Sequence, residues 1–93
     1  MIKPVTVVID GTSSLFVNYV SGVITSTSCG TTMNHGVLAV GWGTSPSAGP
    51  YWIVENSWAT TWGQYGYVLI GMSSTVVSGI CGINQQVYYP LTI

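Results

Sequence analysis

The segment YWIVENSW at residues 51–58 predicts a β-strand that ends in a turn and presents an amide beside an indole. Tyr, Trp, Ile and Val in succession favour a pleated, mostly buried strand. The Asn-Ser pair that follows marks the place where the extended backbone turns. The strand therefore delivers Asn56 and Trp58 close together at its end.

A histidine upstream gives that pairing a chemical meaning. The segment NHGVLAVGWG at residues 34–43 places His35, the only histidine of the chain, at the start of another apolar run. Two adjacent antiparallel strands would bring Asn56 to His35. An Asn carbonyl oxygen that accepts from one imidazole nitrogen fixes the ring, so that the other nitrogen faces a nucleophile. A lone histidine without such a setting is more often structural than catalytic.

These two segments and WGQYGY at residues 62–67 resemble the His and Asn blocks of the papain-like cysteine proteases, the papain and cathepsin L family. The resemblance covers nearly the whole chain, since it extends to PVTVVID at residues 4–10, Cys29-Gly30, Cys81-Gly82-Ile83 and Tyr88-Tyr89-Pro90. It implies the second, β-rich domain of that family's two-domain α+β fold. Residues 1–93 would form this single domain, and the N-terminal domain that bears the nucleophile would be absent.

The resemblance also implies a role for each site residue. His35 would pair with a cysteine thiolate and later protonate the leaving amine, while Asn56 orients the imidazole ring. Trp58 would cover the His-Asn hydrogen bond and line the cleft on the leaving-group side. The remaining residues of the substrate cleft would be Val8, Met33, Asn34, Gly36 and Gln86. Of these, Val8, Met33, Gly36 and Gln86 would line a mostly apolar pocket with a polar floor.

Neither cysteine of the chain stands in the sequence setting of that family's nucleophile. The resemblance instead implies that Cys29 and Cys81 form the second-domain disulfide, and closing so long a loop would stabilise the fold by about 4 kcal/mol. Two free buried thiols are the alternative. A disulfide points to a lysosomal, vacuolar or secreted protein rather than a cytosolic one.

Three positions depart from the family pattern. Asn34 stands where relatives usually have Asp, and Glu55 stands where they often have Lys, so the local charge near His35 differs and the pH optimum with it. Ala59-Thr60-Thr61 replaces a turn of the Gly-Thr-Gly type. We expect that turn to tolerate the change, because it lies in a loop.

Short apolar segments separated by Gly, Pro and Ser predict a mainly antiparallel β domain, a barrel-like sheet with one short helix. Leu15, Phe16 and Tyr19 follow a capping serine at helical spacing. The polar segment 44–50 is predicted as the loop of a hairpin. The predicted strands cover residues 5–9, 23–24, 37–42, 51–54, 65–70 and 87–89, and the helix lies within residues 13–20.

The composition excludes several classes of partner. Charged residues make up only 3% of the chain and the net charge is −1, so nothing in it attracts a nucleic acid or an anionic membrane surface. The apolar runs are far too short to span a bilayer. We expect no cofactor and no metal.

Three functions are compatible with these features. The first is the second domain of a papain-like endopeptidase, which would be inactive without the other half. Its partners would be the N-terminal domain of the same peptidase, a peptide or protein substrate, and inhibitors of the cystatin type; the isolated domain would self-associate. The second is a catalytically dead homologue that binds or supports other proteins, and the third is an unrelated secreted β domain. The residue at the nucleophile position of the whole protein distinguishes the first two.

Overall fold

The computed structural model describes residues 4–73 and 75–88. Over this part of the chain six strands form one sheet in the order β2-β5-β4-β3-β1-β6, in which every neighbouring pair is antiparallel except β2 and β5. The strands are β1 (Val5–Ile9), β2 (Val23–Ile24), β3 (His35–Ser45), β4 (Gly49–Glu55), β5 (Tyr67–Gly71) and β6 (Gln86–Tyr88). A single helical turn, α1 (Ser14–Val17), and two 3₁₀ turns at Thr27–Cys29 and Ile80–Gly82 complete the described elements. The predicted class, mainly antiparallel β with one short helix, is confirmed.

The core lies on one face of this sheet because alternate strand residues point to the same side. Aliphatic side chains from five strands meet there, and the aromatic rings of Phe16 and Tyr19 cover them. The buried strand residues are Val7, Ile9, Ile24, Val37, Val54, Val68 and Ile70. In β1 this alternation leaves Val8 on the opposite face.

A disulfide joins the two 3₁₀ turns. Cys29 and Cys81 are bonded across a sequence separation of 52 residues, with their Cα atoms 4.7 Å apart. The predicted pairing is confirmed. In the chain-entropy estimate a loop of this length contributes about 4 kcal/mol to stability, which matters for a chain too short to bury a large core.

The helix is shorter than predicted. It ends at Val17, and Tyr19 leaves the helical path because its hydroxyl donates to Gly22 O at 2.6 Å and accepts from Gln64 Nε2 at 2.8 Å. Ser13 makes no side-chain capping bond, so little favours a longer helix. Tertiary hydrogen bonds therefore override the local helical spacing.

The hairpin of β3 and β4 extends through most of the segment predicted as a loop. Ser45 pairs with Gly49, so only residues 46–48 turn, and Ser45 Oγ accepts from Ala48 N at 3.1 Å to close that turn. A bulge between Ala39 and Gly41 shifts the register. Pairing of neighbouring backbones thus outweighs the turn propensity of Ser and Pro.

The fifth strand begins two residues later than predicted, and the sixth begins one residue earlier. Tyr65 adopts a left-handed backbone with φ of 54° and belongs to the turn before β5. The sixth strand begins at Gln86 rather than at residue 87, and residue 89 of the predicted strand lies outside the described residues.

Within the described residues, no helix has the length and hydropathy needed to cross a membrane. The assignment of residues 1–93 to a single domain stays a prediction.

Candidate active site

The sheet topology brings His35 and Asn56 together. The histidine opens β3, the asparagine follows β4, and the two strands are antiparallel neighbours, so the start of one lies beside the end of the other. His35 Nε2 lies 2.7 Å from Asn56 Oδ1. The asparagine side chain is buried, whereas His35 is partly accessible. The contact expected from the sequence is therefore present.

The direction of this hydrogen bond follows from a third residue. Ser57 N also lies 2.8 Å from Asn56 Oδ1. A backbone N–H can only donate, so the shared atom is the carbonyl oxygen of the amide. His35 Nε2 must then carry a proton and donate it, which leaves Nδ1 as the nitrogen that accepts a proton in the neutral ring. Sequence reasoning named Asn56 but missed this function of the Ser57 backbone.

The other end of the amide is unsatisfied. Asn56 Nδ2 is buried and finds no hydrogen-bond partner among the described residues. Leaving a buried donor unpaired costs about 1–3 kcal/mol. A buried polar group that destabilises the fold in this way is typical of a functional site. In Asn56 the carbonyl oxygen makes the two contacts described above, with His35 and with the Ser57 backbone.

Two aromatic rings pack against the imidazole, and a third packs behind them. The Trp58 ring is tilted by 33° against the His35 ring at a centroid distance of 5.1 Å, and Phe16 approaches His35 edge-on at 5.9 Å. Trp62 packs against both, 5.4 Å from Trp58 and 4.9 Å from Phe16. Sequence analysis predicted the position of Trp58 but assigned Phe16 only to a helix. Its place in this cluster depends on a tertiary contact between α1 and the turn after β4.

Asp10 is a second buried polar residue near this site, and sequence analysis gave it no role. Its side chain accepts hydrogen bonds from Thr12 Oγ1 at 2.8 Å, Thr12 N at 3.1 Å and Thr32 N at 3.1 Å. Burial raises the pKa of Asp10, but these bonds and a longer one from Asn34 outweigh burial and lower the pKa below its ordinary value. The carboxylate is therefore charged at neutral pH.

Several of the predicted cleft residues lie side by side. Val8 pairs with Gly36 of β3 on one side and with Gln86 of β6 on the other, so these three positions form a row across the sheet. Met33 lies before β3, and its Sδ would be 3.4 Å from a Cβ placed on Gly82. The Asn34 side chain bonds to the turn after β1, with Gly11 N donating to its Oδ1 at 2.9 Å.

A shallow depression reaches Gly36 of this row and Asn56 of the His-Asn pair. It has a volume of about 480 Å³ and is lined by Thr6, Gly36, Val37, Leu38, Glu55, Asn56 and Ser57. Glu55 and Leu38 are exposed at its rim. Among the described residues there is no cluster of three His, Cys, Asp or Glu side chains that could hold a metal ion. The groups next to the depression are suited to hydrogen bonding and proton transfer.

Comparisons with known proteins agree with the resemblance. The sequence profile of the "Papain family cysteine protease" matches residues 1–91. The KDEL-tailed cysteine endopeptidase of Arabidopsis thaliana is 47% identical over 91 residues, which are 98% of this chain and 25% of that protein. Vignain of Ricinus communis is 43% identical over 89 residues, 96% of this chain and 24% of that protein. The chain thus spans about a quarter of the length of these curated relatives.

Solved structures show the same fold. The bromelain protease of Ananas comosus, in complex with the E64 inhibitor, superimposes with a TM-score of 0.85 at 42% identity, over 94% of this chain and 40% of that chain. The proform of the ragweed pollen allergen Amb a 11, a cysteine protease, gives a TM-score of 0.86 at 34% identity, over 97% and 27% of the two chains. The sequence profile, the curated relatives and the β-rich fold agree, and the chain belongs to the papain family of cysteine proteases.

Proposed function

We propose that this chain provides the imidazole and its orienting amide to a thiol-dependent peptide hydrolase. The observation that carries the proposal is the 2.7 Å contact between His35 Nε2 and Asn56 Oδ1. The Ser57 backbone makes that oxygen an acceptor, which directs the free Nδ1 of His35 to a nucleophile. Both cysteines of the chain are joined in the disulfide, so the thiol comes from elsewhere in the whole protein. The N-terminal domain of the same peptidase is the expected source.

His35 moves a proton twice in the forward reaction. Its Nδ1 takes the proton of the thiol, and the thiolate attacks the carbonyl carbon of the scissile bond. His35 then gives the proton to the leaving amine as the C–N bond breaks, which leaves an acyl-enzyme thioester. A water molecule, deprotonated by the same nitrogen, then attacks the thioester, the C–S bond breaks, and the acid is released. The imidazolium returns the proton to the departing thiolate, which restores the thiol and the neutral ring. Donors that stabilise the oxyanion would come from the other domain.

The substrate would be a peptide or protein that binds along the depression beside the His-Asn pair. The row formed by Val8, Gly36 and Gln86 supports an apolar pocket for the side chain next but one to the scissile bond. Met33, which precedes β3, would be a further member of that pocket. Trp58 would line the side that receives the leaving group. Inhibitors of the cystatin type would occupy the same cleft. The disulfide supports a lysosomal, vacuolar or secreted location.

Substitutions in the whole peptidase test the assignment. His35→Ala should nearly abolish hydrolysis of a fluorogenic dipeptide substrate, because no other group of this chain can relay the proton. Asn56→Ala should reduce kcat less, because water can partly replace the orienting amide. The control is Asn84→Ala, which removes an exposed amide and should leave kcat unchanged.

Two results would contradict the proposal. One is equal activity of the His35→Ala variant and the parent enzyme. The other is turnover by the 93-residue chain alone, after active-site titration has excluded contaminating protease. If the whole protein lacks a cysteine at the nucleophile position, the domain belongs to a binding or structural homologue instead.

A further inference from the structure

We propose that Asp10 is a positioning residue for His35 and acts through Asn34 and Gly11. It would not touch the substrate. The inference deepens the proposed function and rests on it, since the orientation of His35 matters only if that ring transfers protons.

Asp10 connects three segments, two through its carboxylate and the third through its backbone. Thr12 belongs to the turn after β1, Thr32 to the loop that follows Cys29, and both donate to Asp10. The backbone N–H of Asp10 donates to Cys81 O at 2.8 Å. The disulfide joins the Cys29 loop to the Cys81 turn, and Asp10 ties the turn after β1 to both of them.

Asn34, the residue before the histidine, extends this network. Its Nδ2 donates to Thr12 Oγ1 at 3.2 Å and approaches Asp10 Oδ1 at 3.5 Å. Because Thr12 Oγ1 gives its own proton to Asp10, it can only accept from Asn34. The amide orientation is thereby set, and Asn34 Oδ1 faces Gly11 N, which donates to it at 2.9 Å.

Gly11 in turn bounds the imidazole ring. A Cβ at this position would lie 2.6 Å from His35 Cβ and 2.9 Å from Cγ, closer than a real Cβ comes, and a tight 3.1 Å from Cδ2. The Gly11 backbone is therefore packed directly against the histidine. With Trp58 beside the ring and Asn56 at Nε2, the contact with Gly11 limits rotation about the side-chain bonds.

Such a restraint matters for proton transfer. A catalytic group displaced by about 1 Å can lose roughly a hundredfold in rate. An isosteric Asp10→Asn change keeps the volume but replaces one acceptor oxygen with a donor, which must then face Thr12 N or Thr32 N. The turn that carries Gly11 should shift and release the ring.

Nuclear magnetic resonance of the 93-residue chain tests this, because its single histidine gives one imidazole spin system. In the parent chain we expect the Nε2-protonated tautomer and a nuclear Overhauser effect between Gly11 Hα and His35 Hδ2. In Asp10→Asn the rate at which the Nε2 proton exchanges with water should rise by roughly tenfold, which corresponds to the loss of about one hydrogen bond. The Overhauser effect should weaken. Thr12→Val should give a smaller change in the same direction, and Thr12→Ser should restore the parental signals.

Tyr19→Phe is the matched control. It also removes a buried polar group that bonds to several segments, but its hydroxyl contacts Gly22 and Gln64 rather than the turn after β1. It should lower stability without altering the His35 signals. If Asp10→Asn is destabilised while the His35 exchange rate and Overhauser effect stay parental, Asp10 is merely structural and the inference is overturned. If Asp10→Asn does not fold, the same two signals in Thr12→Val decide the question.

The same variants in the whole peptidase separate this inference from the proposed function. Asp10→Asn should lower kcat by roughly ten- to a hundredfold with little change in KM, since the substrate does not contact Asp10. A His35 ring that responds to Asp10→Asn in a protein without hydrolytic activity would support the positioning and contradict the function. Unchanged kcat in an active enzyme would contradict the positioning alone.

Discussion

At the level of single residues, Asp10 should make the fold less stable at acid pH. Its hydrogen bonds hold its pKa below the ordinary value of 3.8. A carboxyl with a lowered pKa in the folded state stabilises the fold above its unfolded pKa, and that contribution is lost as pH falls through the folded pKa. Stability should therefore decrease below about pH 4.

Urea unfolding between pH 7 and pH 2.5 measures this contribution. The difference in unfolding free energy between the parent and Asp10→Asn should be constant above about pH 5 and shrink at lower pH. Glu55→Gln, a change at an exposed carboxyl, serves as the control. Its unfolding free energy should still decrease at low pH as that of the parent does. A difference that persists unchanged to pH 2.5 would show that the charge of Asp10 does not stabilise the fold.

Some site residues were predictable from the sequence, and others were not. His35 and Asn56 open one strand and follow its neighbour, so strand pairing alone predicts their contact. Asp10 and Phe16 carry no such signal, because their links to His35 pass through tertiary contacts between segments far apart in the chain. Motifs show residues that act directly, whereas residues that hold them in place become visible only in the fold.

At the level of elements, the turn after β4 contains a strained residue. Ala59 has φ of 93°, a backbone conformation that suits glycine and is costly for a residue with a Cβ. Ala59 lies where the family has a glycine-containing turn, a change that a loop is expected to tolerate. The fold tolerates the alanine, but the conformation it adopts is one that glycine occupies without strain.

Ala59→Gly should stabilise the chain by about 1 kcal/mol, since relief of strain exceeds the added flexibility of the unfolded state. Urea unfolding at neutral pH measures the change. Ala48→Gly, in the hairpin turn, is the control, because Ala48 does not have a positive φ and the substitution should destabilise. A less stable Ala59→Gly variant would show that the turn is not strained.

The elements also show where local propensity fails. The hairpin strands were predicted in the right places, but the segment 44–50 pairs across the hairpin despite its Ser and Pro residues. Thr44 and Ser45 pair with Pro50 and Gly49 a few positions further on, so composition correctly predicts a turn here but not how few residues it occupies. The early end of α1 has a non-local cause instead, because the Tyr19 hydroxyl bonds to a residue 45 positions away.

At the level of the whole molecule, the depression beside the His-Asn pair presents apolar surface with few charges. Leu38, which lines it, is 37% exposed, and Trp58, which packs beside His35 outside the depression, is 38% exposed. Exposed apolar patches favour association, and a net charge of −1 opposes it only weakly. We therefore predict that the 93-residue chain self-associates at neutral pH through the face that would contact the N-terminal domain.

Sedimentation across a concentration series tests this with a matched pair of variants. Leu38→Glu adds a charge within the face and should shift the chain towards monomer. Val77→Glu adds the same charge at a loop position that is 96% exposed and lies outside the depression, so it should leave association nearly unchanged. Equal effects of the two variants would assign the association to low net charge rather than to this face. A strictly monomeric parent chain at high concentration would contradict the prediction itself, because its uncovered surface would then be too polar, or too small, to hold two copies together.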